Sequence, residues 1–427
     1  MLSILLGGAS RDHALRLAVV ELAALPLITL GASRLIRTGA WQEHRFALLI
    51  MSLIVALPLL QLIPLPPAIW SGLPGRGDLA IAQEIAGIRP GMSPLSLTPD
   101  LTWRAALALC PPLALFLAVL SSPSSLSPRV TYVYLALAAV SVLLGIAQLA
   151  SGGERLYPWA TTSAGSVTGF FANRNHLATF LLCLLPFTIM LGASTFRRRH
   201  ADRLPLWFAA VFTGVIIVAL AAIRSRAGVI LFAPVITCSM LAAWVAAGRG
   251  RPSPALLAMI GVTGAALTAV AALALPPLLA RFDSQSAPEG RFERWPIVAE
   301  AAQSYLPVGS GIGSFDSVYR SVEPLAQLDR SFFNQAHNEY LEVWLEAGWP
   351  GIALIILFFV WYARRTVSAW KGQPSRVRDV QRAASIAIGA VLLHSIGDYP
   401  LRTAAMAVLF AFCCGLLEFA KQPDTPR

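Results

Sequence analysis

The sequence predicts an all-α polytopic membrane protein with about 11 to 12 transmembrane helices. The chain is 56% hydrophobic and only 13% charged, whereas an average soluble domain is about 25% charged. Continuously apolar runs of about twenty residues, the length of a helix that crosses a bilayer, recur along the whole chain. Because polar and apolar residues do not alternate within these runs, the runs indicate helices rather than strands of a membrane barrel.

Eleven segments are apolar enough to be predicted as spans. The first is interpreted as a retained span and not as a signal peptide, because no small-residue cleavage site follows and Arg34 and Arg37 flank its far end. A twelfth crossing stays open if residues 1–36 form two short or re-entrant pieces. The predicted spans are 14–36, 45–66, 104–121, 129–150, 176–195, 204–223, 227–247, 254–280, 340–363, 382–396 and 401–420.

The charge distribution predicts the orientation of the chain. The formal net charge is +11, and arginine-rich loops at 196–203, 248–252 and 364–382 fall on one side of the spans. The positive-inside rule places this side, and the C-terminus, in the cytoplasm. We interpret the basic charge as an orientation signal and expect no nucleic-acid binding. All five cysteines fall inside spans, so the sequence indicates neither a disulfide framework nor a metal site.

The opposite side carries a large loop, residues 281–339, which is expected to be periplasmic within a single integral membrane domain of residues 1–427. Loops of this length are usually functional. Residues 291–305 are predicted to be helical and to lie along the membrane surface. The glycines of LPVGSGIGSF lack a preceding strand, so they indicate a closely packed turn and not a dinucleotide-binding loop.

Four polar clusters share the predicted periplasmic side. Each has a structural explanation, because terminal arginines often reach lipid headgroups and a single histidine is more often a packing residue than a catalyst. Glutamates three and four residues apart share one helix face and are suited to pairing with arginine. The clusters are Asn173, Arg174, Asn175 and His176; Arg224 and Arg226; His337 and Asn338 with Glu339, Glu342 and Glu346; and His394, Asp398 and Arg402.

The convergence of Arg174, Arg224 and Arg226 on one side favours a functional interpretation. Arginine binds phosphate in bidentate geometry and keeps its charge when buried. Three such groups at headgroup depth could hold a lipid-linked diphosphate and stabilise it as a leaving group. A nearby histidine could then accept a proton from an attacking sugar hydroxyl. Among the glutamates, Glu339 is predicted near the site, Glu342 as a possible arginine partner, and Glu346, the deepest, as structural.

Five motifs follow one another along the chain. They are FFANRNHLATFL, the SRAG of AAIRSRAGVI, R-x-x-x-W with LPVGSGIGSF, QAHNEYLEVWLEAGWPG, and HSIGDYPLR. Together they resemble the O-antigen ligase and O-antigen polymerase superfamily of bacterial membrane glycosyltransferases. The resemblance covers residues 160–405, which we designate the ligase-like core. The N-terminal third agrees with the family only in hydropathy.

The resemblance implies a fold related to the GT-C glycosyltransferases, an inner-membrane location and a catalytic centre that faces the periplasm. It implies a glycan donor carried on undecaprenyl diphosphate, no cofactor and no required metal. The acceptor would be lipid A-core or a growing polysaccharide, and other family members modify protein. By position, His337, Arg226 and Arg174 are predicted as catalytic. The predicted substrate contacts are Arg224, Asn338, Asn173, Glu342, Arg291, His394 and Asp398.

The sequence therefore predicts an O-antigen ligase-like glycosyltransferase. An O-antigen or exopolysaccharide polymerase of the same superfamily is the alternative that these motifs do not separate. A lipid-linked sugar transporter or flippase is the rival from another class, although transporters tend to keep charged residues near the midplane and to show repeated halves. A non-catalytic assembly partner is the third possibility.

Overall fold

A computed structural model describes residues 1–8, 14–89, 91–122, 127–151, 156–157, 166–195, 204–247, 261, 264, 289–328 and 333–419. Within these ranges the protein is almost entirely helical, and the strands are the two-residue pieces Pro64–Leu65 and Ser93–Pro94, which pair antiparallel. The predicted all-α polytopic fold is therefore confirmed. The predicted span at 254–280 lies outside the described residues, apart from two isolated positions.

Sixteen α-helices make up most of the described part of the chain. They are α1 (Leu2–Leu6), α2 (Ala14–Thr38), α3 (Arg45–Gln61), α4 (Pro67–Ser71), α5 (Gly77–Ile85), α6 (Pro99–Leu107), α7 (Cys110–Leu120), α8 (Ser127–Ala150), α9 (Arg174–Thr195), α10 (Leu204–Ile223), α11 (Arg226–Ala246), α12 (Glu289–Ser304), α13 (Phe315–Val322), α14 (Glu339–Lys371), α15 (Arg376–His394) and α16 (Ala404–Glu418). Short 3₁₀ turns lie at Ala40–Gln42, Leu325–Gln327 and Pro400–Arg402.

In the described part of the chain, six helical segments are long and apolar enough to cross a membrane, and three further apolar helices are shorter. The six are Ala14–Thr38, Pro99–Leu120, Arg129–Ala150, Arg174–Ala193, Arg226–Ala246 and Glu339–Lys371; the shorter ones are Arg45–Gln61, Trp207–Ile223 and Ala404–Glu418. The segment predicted at 382–396 lies mostly in α15, whose first turns are charged. Each of these helices coincides with a predicted span.

The N-terminal residues form the short, partly buried helix α1, which has five residues and is too short to cross a bilayer. Ile4 of α1 has no exposed surface. The carbonyl of Gly7 accepts from Ala405 N at 3.1 Å, and that of Gly8 accepts from Ala172 N at 3.0 Å. Residues 1–8 are therefore packed at the end of the bundle where α9 and α16 begin, which we call the site end. Among the described residues of 1–36, which exclude 9–13, only the helix that starts at Ala14 has the length of a span.

The bundle is built around α9. Its apolar window is 94% buried, and it packs against α10, α11 and α15. Helix α15 packs against α16, α16 packs against α7, and α7 packs against α2. Helix α3 packs against α6 and α14. These contacts separate the bundle into two sides, with α9 to α11 on one side of α15 and α2, α3 and α7 on the other.

The loop before α14 folds into a cap on the site end. Helices α12 and α13 pack against α14, and Val298, Phe315, Tyr319, Phe333 and Leu345 belong to a small apolar core of their own. The predicted helix at 291–305 is confirmed as part of α12. Its orientation relative to a bilayer stays a prediction.

Helix α14 is interrupted near its start. Gly348 has non-helical backbone angles (φ 53°, ψ −142°), and an added Cβ at this position would lie 2.3 Å from the carbonyl oxygen of Pro307. Trp349 N donates to that carbonyl at 2.9 Å. The glycine thus allows the cap to contact the helix backbone, and it divides α14 into a short outer part, residues 339–347, and a longer part, residues 349–371, which is apolar up to Arg364.

Candidate active site

A buried carboxylate, that of Asp398, joins three of the four predicted polar clusters. Asn175 Nδ2 donates to Asp398 Oδ2 at 2.9 Å, and Ser225 Oγ donates to Asn175 Oδ1 at 2.8 Å. Asn175 lies in the first turn of α9, Ser225 is the N-cap of α11, and Asp398 lies between α15 and α16. Elements that are far apart in the sequence therefore meet at the site end.

Two histidines flank the carboxylate of Asp398. His176 Nε2 lies 3.7 Å from Asp398 Oδ1, and His394 Nε2 lies 3.6 Å from Oδ2, so both contacts are longer than a hydrogen bond. His394 Nδ1 is 2.6 Å from Thr179 Oγ1. Burial raises the pKa of Asp398, but His176 and His394 outweigh burial and hold the pKa well below its usual range. Asp398 is therefore ionised at neutral pH.

Tyr399 connects this carboxylate to His337. Its backbone N–H donates to Asp398 Oδ1 at 2.8 Å. Its ring meets the ring of His176 edge to face at 5.7 Å and that of His337 at 4.9 Å. Phe333 stacks on the other side of His337 with a centroid distance of 5.4 Å. Aromatic contacts of this kind restrict the orientation of the imidazole.

The tautomer of His337 follows from its hydrogen bond. Nδ1 lies 2.9 Å from the carbonyl oxygen of Gln335, which can only accept, so Nδ1 carries the hydrogen in the neutral ring and Nε2 carries the lone pair. Burial, together with the positive charge of Arg291, lowers the pKa of His337 to about 4, and the negative charge of Asp398 offsets this lowering only in part. His337 is therefore a neutral proton acceptor at physiological pH.

Two predicted site residues have strained backbones. His337 (φ 51°) and Arg224 (φ 52°) are the non-glycine residues with positive φ in the described ranges. The left-handed region is unfavourable by about 1–2 kcal/mol for a residue with a Cβ. Strain of this kind concentrates at catalytic and ligand-binding sites. The packing around both residues must therefore stabilise conformations that they would not adopt alone.

The two helices that begin with predicted catalytic arginines lie side by side. Arg174 is the first residue of α9 and Arg226 the first of α11, and these helices pack together. The approach is close, because a Cβ added to Gly228 would lie 3.0 Å from that of Ala178. This glycine of the SRAG motif brings both arginines to the same end of the bundle.

The arginine-bearing ends are suited to anion binding. The N-terminus of a helix carries a partial positive charge, and α9 and α11 both present this end here. Arg174 Nη1 donates to Ser166 Oγ at 3.2 Å. Arg224 is exposed, and its guanidinium has no hydrogen-bond or ion-pair partner among the residues that the structure describes. Together with Arg226, these side chains form what we call the arginine face.

Arg291 lies in α12 and influences His337 through its charge. Arg291 lowers the pKa of that histidine. It also lowers the pKa of Tyr399, but burial has the larger effect and raises this pKa above its usual value. Trp295, four residues later, donates from Nε1 to the carbonyl of Ala336 at 3.0 Å. The R-x-x-x-W motif thus attaches α12 to the segment that carries His337.

The predicted substrate contacts Asn173 and Asn338 both have local structural tasks. Asn338 Oδ1 caps α14 by accepting from Tyr340 N and Leu341 N, each at 3.1 Å. Asn173 Oδ1 accepts from Asn175 N at 2.8 Å. Side-chain caps of this type typically contribute about 1 kcal/mol. A contact of either amide with substrate stays a prediction.

The glutamates of α14 meet an arginine that lies outside the arginine face. Arg402 Nη2 is 2.9 Å from Glu342 Oε1 and 2.9 Å from Glu346 Oε2. Neither glutamate has exposed surface. Glu346 Oε1 also accepts from Gly313 N at 2.8 Å, and Glu342 Oε2 accepts from Ala336 N at 3.0 Å. Both carboxylates therefore attach the cap to the bundle. Glu342 also fixes the residue before His337, because it accepts the hydrogen bond from Ala336 N.

Glu339 joins the start of α14 to the turn after α15. Ser395 Oγ donates to its Oε2 at 2.5 Å, and Leu401 N donates to its Oε1 at 2.7 Å. The backbone N–H of Glu339 in turn donates to the carbonyl of Ser395 at 2.9 Å. This carboxylate fixes the helix start two residues after His337.

The glycine-rich turn packs as the sequence predicts. Gly309, Gly311 and Gly313 all have positive φ. A Cβ on Gly309 would lie 2.5 Å from the carbonyl oxygen of Glu346, and one on Gly311 would lie 2.1 Å from Ser96 Oγ. Glycine is therefore required here for close backbone packing. The described residues also contain no group of three His, Cys, Asp or Glu side chains arranged to hold a metal ion.

A comparison with known families bears on the resemblance that the sequence motifs indicate. The family model described as O-antigen ligase matches residues 208–356. The resemblance to the O-antigen ligase and polymerase superfamily is confirmed. The O-antigen ligase match contains the SRAG motif, Arg291 and His337, and it ends before Asp398. No curated protein matches the chain.

The sequence alone did not identify several residues of the candidate site. Asn175 had been grouped with its neighbours but was not predicted as a site residue, and neither were Ser225, Thr179 and Tyr399. Ser225 and Tyr399 lie inside the SRAG and HSIGDYPLR motifs. Their polar side chains within otherwise apolar helix ends were the available signal, but their partners depend on helix packing.

Proposed function

We propose that this protein is a membrane glycosyltransferase that moves a glycan from undecaprenyl diphosphate to an acceptor hydroxyl at the periplasmic face of the inner membrane. One observation carries the proposal. His337, whose Nε2 has a free lone pair, lies at the same end of the bundle as the arginine face. The hydrogen bonds among Ser225, Asn175 and Asp398 connect the starts of α9 and α11 with the turn after α15, and this turn contacts His337 through Tyr399.

The chemistry follows from the protonation states. His337 Nε2 accepts the proton of the acceptor hydroxyl while that oxygen forms a bond to the anomeric carbon of the donor sugar. The bond between that carbon and the phosphate oxygen breaks, and its electron pair leaves with undecaprenyl diphosphate. Arg174, Arg224 and Arg226 stabilise the negative charge that develops on the leaving group. The proton on His337 is then released to water.

The other predicted residues divide into two groups. Arg291 keeps His337 neutral through its positive charge and lies where it can also contact an anionic substrate. Asp398, together with His176 and His394, fixes the start of α9 relative to the turn after α15. Its negative charge also balances part of the positive charge at the site end. Asn173 and Asn338 position the starts of α9 and α14. Glu342 belongs to the support of the cap.

The position of the polar residues favours a transferase over a transporter. A transporter is expected to place its charged residues near the membrane midplane, between two repeated halves with broken helices. Here the arginine face, His337 and Asp398 all lie at one end of the bundle. The non-catalytic alternative predicts that glycan transfer survives the loss of these residues.

Ligase and polymerase activity use the same chemistry, and we propose the ligase activity because the matching family model carries that description. The two activities differ in the acceptor. A deletion strain would separate them: loss of long-chain lipopolysaccharide with accumulation of lipid-linked polymer indicates a ligase, whereas accumulation of lipid-linked single units indicates a polymerase.

The decisive experiment is substitution of His337 and Arg226. Replacing His337 with alanine removes the base and should lower the transfer rate about 10²- to 10⁴-fold. Replacing Arg226 with alanine should lower it about 10²- to 10³-fold, by analogy with the loss of one donor to a developing anion. The rates are measured with purified protein in proteoliposomes, with lipid-linked glycan and acceptor supplied.

Arg364 provides the matched control for the arginine. It is exposed at the opposite end of the bundle, and its replacement with alanine should leave the rate unchanged. All variants are compared for membrane insertion and thermal unfolding. Transfer at the wild-type rate by both the His337→Ala and the Arg226→Ala proteins would refute the assignment.

A further inference from the structure

One face of α8 packs against residues 166–173, which we call the pre-α9 turn. Ser141, Gly145 and Gln148 follow one another at i, i+4 and i+7, so they share one side of the helix. Ser141 and Gln148 have no exposed surface, whereas Leu143 on the opposite side is exposed. A Cβ added to Gly145 would lie 2.4 Å from Val167 Cγ1. The glycine therefore allows the turn to approach α8 closely.

The side-chain amide of Gln148 is fully bonded to the chain around this turn. Its Oε1 accepts from Gly169 N at 2.9 Å, and from both N and Oγ1 of Thr168 at 3.2 Å. Its Nε2 donates to the carbonyl of Gly169 at 3.0 Å and to that of Leu156 at 3.2 Å. A glutamine amide offers two N–H donors and one acceptor oxygen. Every one of these groups is used by Gln148.

The bonds from α8 fix the backbone of the pre-α9 turn. Phe170 N donates to Ser141 Oγ at 3.2 Å, so three successive N–H groups, those of residues 168, 169 and 170, bond to side chains of α8. Gly169 has positive φ (57°), and a Cβ there would lie 2.1 Å from Ser141 Oγ. Thr168 and Gly169 are buried, and buried backbone groups need such partners. The turn therefore has one defined conformation.

The same turn orients Arg174. It begins at Ser166, whose Oγ accepts from Arg174 Nη1 at 3.2 Å, and it ends directly before that arginine. Ser166 lies two residues before Thr168, which is bonded to Gln148. The hydroxyl of Tyr157 donates to the carbonyl of Ser166 at 2.7 Å. The residue that contacts the guanidinium is therefore held in place by the hydrogen bonds of the turn.

We propose that Gln148 is a positioning residue for glycan transfer, and that it acts by fixing the guanidinium of Arg174 at the diphosphate of the donor. The inference rests on the proposed function, because that function assigns the leaving diphosphate partly to Arg174. Gln148 has no exposed surface, so it acts through the turn and not by contact with substrate. Placement matters at this point, because an error of about 1 Å can lower a rate about 10²-fold.

A purely structural role for Gln148 is the alternative. In that case the amide only satisfies the buried backbone of the turn, and its loss disturbs the whole site end. A positioning role for Arg174 predicts a different result, because Gln148 then has little effect once the arginine side chain is absent. A double-mutant cycle between the two residues separates these roles.

The cycle uses Gln148→Met, which keeps an unbranched side chain of similar length and removes all of the amide hydrogen bonds. This variant should transfer glycan about 10²-fold more slowly. Arg174→Ala should be slower by about 10²- to 10³-fold, as expected for the loss of one donor to a developing anion. In the double variant, Gln148→Met should lower the rate of Arg174→Ala by less than about twofold, the usual scatter for additive effects.

Two results of this cycle would overturn the inference. One is a further loss of about 10²-fold in the double variant, because sites that do not interact combine additively. The other is transfer at the wild-type rate by folded Gln148→Met protein. The substrates give a second criterion: Gln148→Met should lower kcat/KM for the donor and leave the KM of the acceptor unchanged, whereas a raised acceptor KM would contradict the role assigned to Gln148.

Gln381 of α15 provides the matched control. It is a buried glutamine toward the opposite end of the bundle, and its Nε2 donates to the carbonyls of Leu417 at 3.2 Å and Phe419 at 3.1 Å. Gln381→Met should lower the midpoint of thermal unfolding as Gln148→Met does, but change the transfer rate less than about twofold. An equal loss of rate in both variants would show a general effect of stability and overturn the inference.

A milder variant covers the case in which Gln148→Met does not fold. Ser141→Ala removes the acceptor of Phe170 N and leaves the Gln148 bonds in place. It should slow transfer in the same direction, and its effect should also disappear in the Arg174→Ala background. Additive losses for Ser141→Ala and Arg174→Ala would contradict the positioning role of the turn.

Hydrogen exchange tests the first step without glycan transfer. Gln148→Met should increase the exchange rate of the amides of Thr168 and Gly169, because their acceptor is lost and the turn opens more often. Gln381→Met should leave the exchange of these amides unchanged. Wild-type protection of the turn in Gln148→Met would refute the claim that this side chain holds it.

The inference and the proposed function fail in different ways. If Arg174→Ala transfers glycan at the wild-type rate, the role that the proposed function gives to Arg174 is wrong, and the inference fails with it. If Arg174→Ala is slow but the loss from Gln148→Met is additive, the inference fails alone. The proposed function as a whole is refuted only by wild-type transfer in both His337→Ala and Arg226→Ala.

Discussion

Arg402 Nη2 donates to Glu346 Oε2 at 2.9 Å, and this contact joins the turn before α16 to the outer part of α14. The same nitrogen lies 2.9 Å from Glu342. Because both carboxylates are fully buried, one guanidinium balances two charges that have no access to water. The contact therefore connects the stability of the cap to that of the bundle.

Replacing Arg402 with glutamine should destabilise the protein strongly. The variant removes the guanidinium that pairs with both buried carboxylates, and breaking a buried ion pair typically costs about 3–5 kcal/mol. Thermal unfolding in detergent measures the change. Arg320→Gln is the control, because its pair with Asp316 is largely exposed and such pairs contribute about 0–1 kcal/mol. Equal shifts for the two variants would contradict the prediction.

Replacing Gly311 with alanine should separate the effect of close packing from that of backbone conformation. Its Cβ would lie 2.1 Å from Ser96 Oγ, and its φ of 109° is unfavourable for alanine. Gly87 also has positive φ (68°) but has open space around its Cβ position. Gly87→Ala should therefore cost only the backbone term of about 1–2 kcal/mol, and Gly311→Ala clearly more. The midpoints of thermal unfolding report both.

Two serine caps allow the role of Ser225 to be tested. Ser225 accepts from Gly228 N and donates to Asn175, whereas Ser375 accepts from Arg378 N at the start of α15. Alanine at either position should lose a helix cap worth about 0.5–2 kcal/mol. Only Ser225→Ala should also lower the transfer rate, because it removes the contact that positions Asn175 beside Asp398. A similar rate for both variants would exclude this positioning role.

The pH dependence of transfer should reflect the low pKa of His337. With a pKa of about 4, the base is neutral above that pH and becomes protonated below it. The acid limb of kcat/KM that depends on His337 should therefore lie near pH 4 and not near the ordinary value of about 6.5. The rate should not fall between pH 7.5 and 5.5 through this group.

Arg291 provides the internal check on this pH profile. Replacing it with alanine removes a positive charge that lowers the pKa of His337, so the acid limb should move to higher pH. Arg294→Ala is the comparison, since it removes the same charge from α12 at a position where the guanidinium lies over the ring of Phe333. An acid limb that stays in place in Arg291→Ala would contradict the electrostatic explanation.

The fold was predictable from the sequence because the bilayer imposes one length and one composition on every crossing. The helix at 291–305 and the packed glycine turn were also predictable, because periodicity and glycine spacing are local properties. The site was predictable as a set of motifs on one side of the membrane, and the structure places these motifs at one end of the bundle.

The contacts between motifs were not predictable. The sequence indicated that Glu342 and Glu346 share a helix face and are suited to an arginine, but the arginine is Arg402, which only the packing of α14 against the turn before α16 identifies. The bridge from Ser225 through Asn175 to Asp398 depends on three helices meeting at one end.

The break at Gly348 has a consequence for how α14 enters the membrane. The apolar run that follows the break, residues 349–363, is 15 residues long before Arg364 is reached. A crossing of roughly 20 residues therefore includes part of the outer segment with its glutamates. The ion pairs of Glu342 and Glu346 with Arg402 supply the partner that a carboxylate needs at this depth, because an unpaired charge in lipid is costly.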